Sequence, residues 1–283
     1  MAKVTPTAKK LLLGKEIAHL RMQAGFNQTQ AAAVIEKHQS KFAELEAGQS
    51  GVTPGDLLLL LKAFGVTDER QIEVLMELRR GSSKRGMWTG IRSVYSEQFR
   101  TMVDLEEHCD LIRWVECEVP PGLLQCEAFI RCLYREGADL DERVQARLAR
   151  QEILTKENAP EVAFVISESA LRRQYGPPAV MAGQINHMIK ISKLPNVRLQ
   201  VLPFHTRVQD TSIRSGVILL RIPSPGVAGP LEFAYTENEA ELRYLDDKDA
   251  VITFQNTWDR LTGAALGFEE TRKFMRKVAS EYR

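Results

Sequence analysis

The stretch NQTQAAAVIEKHQSKFAELEAG, residues 27–48, reads as two short helices separated by a break that no loop explains. Asn27 stands before the first with Gln30 three residues later, the spacing of a capping box. The first helix, Gln28 to about Ile35, is rich in alanine, which favours helix and lets a second helix approach closely. "EKH" interrupts it. A second helix then runs from Gln39 to about Ala47, with Phe42 and Leu45 on one face and Gln39, Ser40, Lys41 and Glu44 on the other. Gly48 supplies a C-terminal stop. Two helices joined through so tight a turn must cross steeply and share a small core, which Ala32, Phe42 and Leu45 fill.

The flanking sequence extends the pattern. Leu13, Ile17, Leu20 and Ala24 recur at helical spacing over about residues 8–24, and Gly25 follows. "TPGD" at 53–56 opens another helix, with Thr53 as cap, Pro54 at the first helical position and Asp56 in the first turn. Leu57, Leu60, Leu61 and Phe64 form its inner face before Gly65. A fifth helix, about 68–80, turns Ile72, Leu75 and Met76 inward. Five short helices in about 75 residues make a compact all-α module. The interrupted pair within it is a helix-turn-helix, whose first helix braces on the DNA backbone and whose second enters the major groove. On that reading Gln28 donates to a phosphate from the start of its helix. Gln39 suits adenine, and Lys41 a guanine or a phosphate. Ser40 and Glu44 share the exposed face, and Glu44 can accept from cytosine. Arg21 and Lys37 are phosphate contacts. The alternative for all of them is ordinary solvated surface.

These residues resemble the lambda-repressor-like, or XRE, helix-turn-helix family over about residues 11–66. Asn27-Gln28, Ala32 and the Phe42-Leu45-Glu46-Gly48 ending match its pattern, and LGKEIAHLRMQAGF and TPGDLLLLLKAFGV are similar to its first and fourth helices. Four positions depart from it: Glu36 stands where the turn usually has Gly, His38 where the cap is usually Ser or Thr, Ala43 for a common Ser, and Ala47 for a common basic residue.

Composition sets the bounds. With 283 residues, 44% hydrophobic and 27% charged, the chain has material for about two domains. Net charge is +1, but residues 1–92 hold 14 Lys and Arg against 9 Asp and Glu, and residues 93–283 hold 24 against 28. A basic head on an acidic body fits a polyanion-facing module. Cys109, Cys117, Cys126 and Cys132 show no C-x-x-C spacing and read as reduced thiols in a core, which suits the cytosol. No apolar run is long enough for a signal peptide or a bilayer span.

Beyond a polar, basic linker around 79–86 the character changes. Helices near 96–109, 123–134, 140–156, 180–193, 248–266 and 269–282 alternate with strand-like runs at 111–119, 161–167, 196–204, 216–223, 231–237 and 241–246. Strands that cluster after several helices predict a mixed sheet with helices packed on it. In order, PPGLLQ (120–125), ERVQARLARQEIL (142–154), VISESALRRQYG (165–176), QINHM (184–188) and PNVRLQVLPF (195–204) resemble the C-terminal domain of WhiJ-like, antitoxin-like regulators of actinobacteria. That resemblance spans about 95–270. It implies an architecture and a small partner protein encoded beside the regulator, and no chemistry. Arg143, Arg147 and Arg150 fall on one helical stripe. Either carboxylates of neighbouring elements answer them, or they form a pocket for an anion or an acidic partner. Glu168 can pair with that stripe or with Arg172. His205, Glu168, Asp210, Tyr235 and Glu237 stand near strand ends, but no nucleophile elbow, metal motif or phosphate loop groups them.

The sequence therefore predicts a multidomain α plus mixed α/β protein: a five-helix DNA-binding domain at 1–80, a linker at 81–94 and an α+β regulatory or interaction domain at 95–283. The expected function is sequence-specific regulation of transcription. Its partners are double-stranded DNA with a palindromic operator, a second copy of the chain, and a small protein or ligand on the C-terminal domain. No catalytic residue, cofactor, metal or membrane enters, and the place is the cytoplasm, on the nucleoid. The alternative is an antitoxin-like or toxin-like protein that mainly sequesters its partner and binds DNA for autoregulation.

Overall fold

The computed structural model describes residues 7–82, 95, 97–208, 216–237 and 242–282, so the expected linker and Asp210 fall largely or wholly outside the described residues. The chain divides into two compact units. The first takes Met1–His108 together with Ile222–Leu231, and the second takes Cys109–Arg221 and Glu232–Arg283.

The first unit holds α1 (Ala8–Gln23), α2 (Gln28–Val34), α3 (Gln39–Glu46), α4 (Pro54–Ala63), α5 (Glu69–Ser82) and α6 (Glu97–Glu106). Side chains start the helices. Asn27 and Gln30 form the full capping box of α2, and the Thr53 hydroxyl accepts from the Asp56 N–H at the head of α4. Both contacts satisfy amides that a helix start leaves without a partner.

The helix ends explain the interruption. After α1, α3 and α4 the chain passes through Gly25, Gly48 and Gly65, with φ of 77°, 68° and 76°. Each time the next N–H returns to a carbonyl five residues back: Phe26 to Arg21, Gln49 to Glu44 and Val66 to Leu61. This is the Schellman turn, whose left-handed residue favours glycine. The end of α2 is built the same way, since the Lys37 N–H donates to the Ala32 carbonyl at 3.0 Å and that of Glu36 to Ala33 at 3.2 Å. Here, though, the left-handed position is Glu36, with φ 52°. The stretch "EKH" is thus a complete helix stop made without glycine. His38 then precedes α3 without a side-chain cap.

Leu13, Ile17, Ala31, Ala32, Phe42, Leu45, Leu57, Leu60, Leu61 and Leu75 are buried between these helices. A Cβ on Gly14 of α1 would lie 2.3 Å from the Glu46 carbonyl oxygen. Only glycine lets the two backbones meet there, which sets how α3 sits on α1.

The second unit carries β1 (Leu111–Glu116), α7 (Glu127–Leu133), α8 (Leu140–Gln151), β2 (Glu161–Ser167), α9 (Glu168–Arg172), α10 (Pro178–Ile191), β3 (Val197–Leu202), β4 (Val217–Ile222), β5 (Leu231–Glu237), β6 (Leu242–Leu245), α11 (Lys248–Ala264) and α12 (Phe268–Glu281). The boundary residues Ile222 and Leu231 group with the first unit. The six strands form one sheet in the order β3-β2-β1-β4-β5-β6. β1, β2 and β3 run parallel through helical crossovers, while β4 lies antiparallel to β1 and β6 to β5. Crossover helices are what parallel neighbours require. Val115, Val165, Val217, Leu219 and Ala234 pack under Trp258 and Leu261 of α11. The architecture is the helical head and mixed-sheet body that the sequence predicts.

Glu36→Gly removes the cost of a side chain in the left-handed region, about 1–2 kcal/mol, against a smaller entropic penalty for glycine. We expect the first unit to gain about 0.5–1 kcal/mol in chemical denaturation. A loss of stability would show that the turn is not left-handed.

Candidate nucleic-acid interface

The outward face of α3 is held by a chain of polar contacts behind it. Arg21 of α1 donates from Nε to Glu46 Oε1 at 2.6 Å and from Nη2 to Oε2 at 3.3 Å, while Nη1 donates to the Phe26 carbonyl at 2.7 Å. Glu46 Oε2 also accepts from Gln28 Nε2 of α2 at 2.7 Å. Gln28 Oε1 in turn accepts from Gln39 Nε2 at the head of α3, at 2.6 Å. The Arg21 and Glu46 side chains are only 12% and 9% exposed, so water screens the ion pair little. Its two-pronged geometry adds direction to attraction. One carboxylate thereby fixes the end of α3 to α1 and to the start of α2.

Among the described residues nothing takes up the amide oxygen or the second N–H of Gln39. An acceptor and a donor side by side match N6 and N7 of adenine. Gln39, Ser40 and Lys41 are exposed and Glu44 is half-buried. Lys41 Nζ lies 2.8 Å from Glu44 Oε2, with side chains 64% and 38% exposed. Such a surface pair contributes little and opens readily to other partners. Lys37 is exposed in the turn, one residue before His38. Arg21 differs from the rest, because its guanidinium is taken up inside the unit. Sequence periodicity missed this role, since spacing cannot distinguish a basic residue at a helix end that meets solvent from one that meets a carboxylate.

In the second unit the arginines of the stripe are held by neighbours, with Arg143 and Arg147 over the same Tyr134 ring and the tips of Arg147 and Arg150 both beside Gly122. Arg143 donates to Asp139 at 2.7 Å and stands 5.5 Å from the Tyr134 ring centroid. Arg147 donates to Gln125 Oε1 at 2.7 Å and to the Tyr134 hydroxyl at 2.8 Å. Arg150 is buried, with its guanidinium 5.4 Å from the Trp114 ring centroid. The sequence motifs that stand out here bond to one another. Gln125 donates to the Pro120 carbonyl, and Gln151 donates to the carbonyls of Gly122 and Gln125. The Gln184 side chain accepts from the Cys126 N–H and donates to the Leu124 carbonyl, both at 2.7 Å. Glu168 is held by Arg172 and by the Phe204 N–H. Asn196 donates to the carbonyls of Leu154 and Pro160. Buried polar groups must be satisfied, and these residues satisfy one turn after another.

Of the residues weighed for catalysis, Glu168 is taken up by Arg172, Tyr235 and Glu237 pair with each other, and Asp210 lies outside the described residues. His205 is exposed, and the Tyr235 hydroxyl donates to Glu237 at 3.2 Å. Burial, with Glu237 beside it, pushes the Tyr235 phenol upward. Burial, with Glu116 and Glu118 nearby, pushes the Cys117 thiol up to about 11, so it carries almost no thiolate near neutral pH. Among the described residues no His, Cys, Asp and Glu cluster is arranged to hold a metal ion, and no helix is long and apolar enough to cross a membrane.

Both parts of the chain match family models. Residues 12–73 match a helix-turn-helix domain, and residues 99–277 match the domain of unknown function DUF5753. No curated protein and no solved structure matches the chain.

Glu46→Ala strands the Arg21 charge and the Gln28 amide, and we expect it to cost the first unit about 2–3 kcal/mol. Lys41→Ala, removing an exposed pair, is expected to cost under about 0.5 kcal/mol. Denaturant titration of both variants checks the contrast, and equal losses would contradict it.

Proposed function

The chain belongs to the family of the domain of unknown function DUF5753, and from that premise and the helix-turn-helix at its head we propose a sequence-specific transcriptional regulator. The observation that carries this is the contact chain from Arg21 through Glu46 and Gln28 to Gln39, beneath an exposed polar row on α3. A reading helix needs exposed side chains on a helix that is itself held in place. Gln39 reads adenine, Lys41 a guanine or a phosphate, and Ser40 and Glu44 flank them. Gln28, with one amide N–H left over, meets a phosphate, as does Lys37. Arg21 acts through Glu46 as a positioning residue.

The likeness of residues 11–66 to the lambda-repressor-like family supports the major-groove geometry. The motif order in the second unit, similar to WhiJ-like regulators, supports a small partner protein or ligand on that unit. One helix-turn-helix covers little DNA surface, so a homodimer on a palindromic operator is the form that gives affinity, with half-sites about 34 Å apart or a multiple of it. Such a regulator works in the cytoplasm, on the nucleoid.

Selection from a random duplex pool should enrich a two-fold symmetric site. On that site Gln39→Ala and Lys41→Ala should each cost about 1–3 kcal/mol of affinity, with Gln39→Ala relaxing the preference at one adenine. Unchanged affinity and footprints in both variants would contradict the proposal.

A further inference from the structure

Glu16 lies in the middle of α1 and is 0% exposed. A carboxylate so placed keeps its charge only if donors surround it. Among the described residues its carboxylate accepts four hydrogen bonds, all from a segment some two hundred residues downstream, SPGVAGP at 224–230, which groups with the first unit. The Ser224 hydroxyl donates to Oε1 at 2.5 Å, the Val227 N–H to Oε2 at 3.0 Å, and the Ala228 N–H to both oxygens at 3.0 and 3.1 Å. Consecutive amides converging on one carboxylate make an anion nest. A Cβ on Gly226 would stand 2.4 Å from the Glu16 carboxyl carbon, so glycine is required for the approach. Next door, Lys15 Nζ donates to the Pro230 carbonyl. The Ser224 hydroxyl also accepts from the Gly226 N–H at 3.1 Å, folding the segment on itself.

We infer that residues 224–230 are a strap of the DNA-binding unit, latched on the Glu16 carboxylate, and that freeing the strap changes operator affinity. The second half of this rests on the regulator reading above. The link runs through α1. Within two turns of Glu16 the same helix carries Gly14, against which the Glu46 backbone rests, and Arg21, which holds the Glu46 side chain. A disturbance of α1 at Glu16 therefore reaches the base of the reading face. The strap is continuous in the chain with β4 and β5. Nothing in the sequence marks Glu16. It reads as one more charged residue on an amphipathic helix, and its partners are remote in the chain.

The test compares amide hydrogen exchange in the full chain for wild type, Glu16→Gln and Gly226→Ala. Glutamine keeps the size but turns an NH2 toward N–H donors, and alanine crowds the carboxylate from the strap side. In both variants the Val227 and Ala228 amides should exchange about tenfold faster or more, as expected when a charge-assisted bond is lost. Amides of α3 should also exchange faster, and affinity for the selected duplex should change about fivefold or more. Wild-type exchange at Val227 and Ala228 in both variants would overturn the latch. Faster strap exchange with unchanged α3 exchange and unchanged duplex affinity would overturn the coupling. If wild type selects no duplex, the DNA reading fails, and exchange in the strap and in α3 decides the latch alone. Should Glu16→Gln fail to fold, Gly226→Ala carries the same comparison.

Discussion

The Glu46 carboxylate accepts from Arg21 and Gln28 at once, and the first unit is arranged around that fact. An ionised side chain this poorly exposed has few alternatives. If α3 rotates, the Arg21 charge loses its partner in a place where water cannot replace it. If α2 slides, Gln28 loses its bond and with it the support for Gln39. The pair thus holds the geometry more than it adds net stability. Gly14 enforces the same placement sterically, because any side chain there would strike the Glu46 carbonyl.

The interrupted helix follows from a single device used four times. Each of the first four helices stops in a Schellman turn, and each restart is set by the residue in the left-handed position. Three stops use glycine. The second uses Glu36, directly before the helix whose outward face is proposed to read DNA. Strained backbone of this kind persists where the surroundings determine it, and here the Ala32 and Ala33 carbonyls and the α2–α3 crossing do so. The second unit works by a different economy. Its most recognisable motifs, from PPGLLQ to PNVRLQVLPF, supply glutamines, an asparagine and arginines that satisfy buried turns. A sequence signature there reports a polar framework.

Local chemistry made much of this legible. Asn27 with Gln30, Thr53 with Pro54, and glycines 25, 48 and 65 mark helix ends because capping depends on neighbours in the chain. Alternating apolar residues marked the strands for the same reason. The order β3-β2-β1-β4-β5-β6 could not be read, since parallel neighbours are joined through distant crossovers and no local signal records who pairs with whom. Arg21 was expected at a phosphate, because a basic residue at a helix end looks the same whether its partner is solvent or Glu46. Arg150 looked like one member of a surface stripe until Trp114 covered it. Glu16 was invisible for the plainest reason: its donors lie more than two hundred residues away.

In the proposed complex α3 presents Gln39, Ser40 and Lys41 to base edges while Glu46 holds the helix from behind. A photoreactive side chain at position 40, set on the exposed row and outside the contact chain, tests it in one step. Irradiated with the selected duplex, the full-length protein should crosslink to a base within the enriched half-site, and the same probe at exposed Glu77 of α5 should not. Crosslinking from position 77 with none from position 40 would contradict the account.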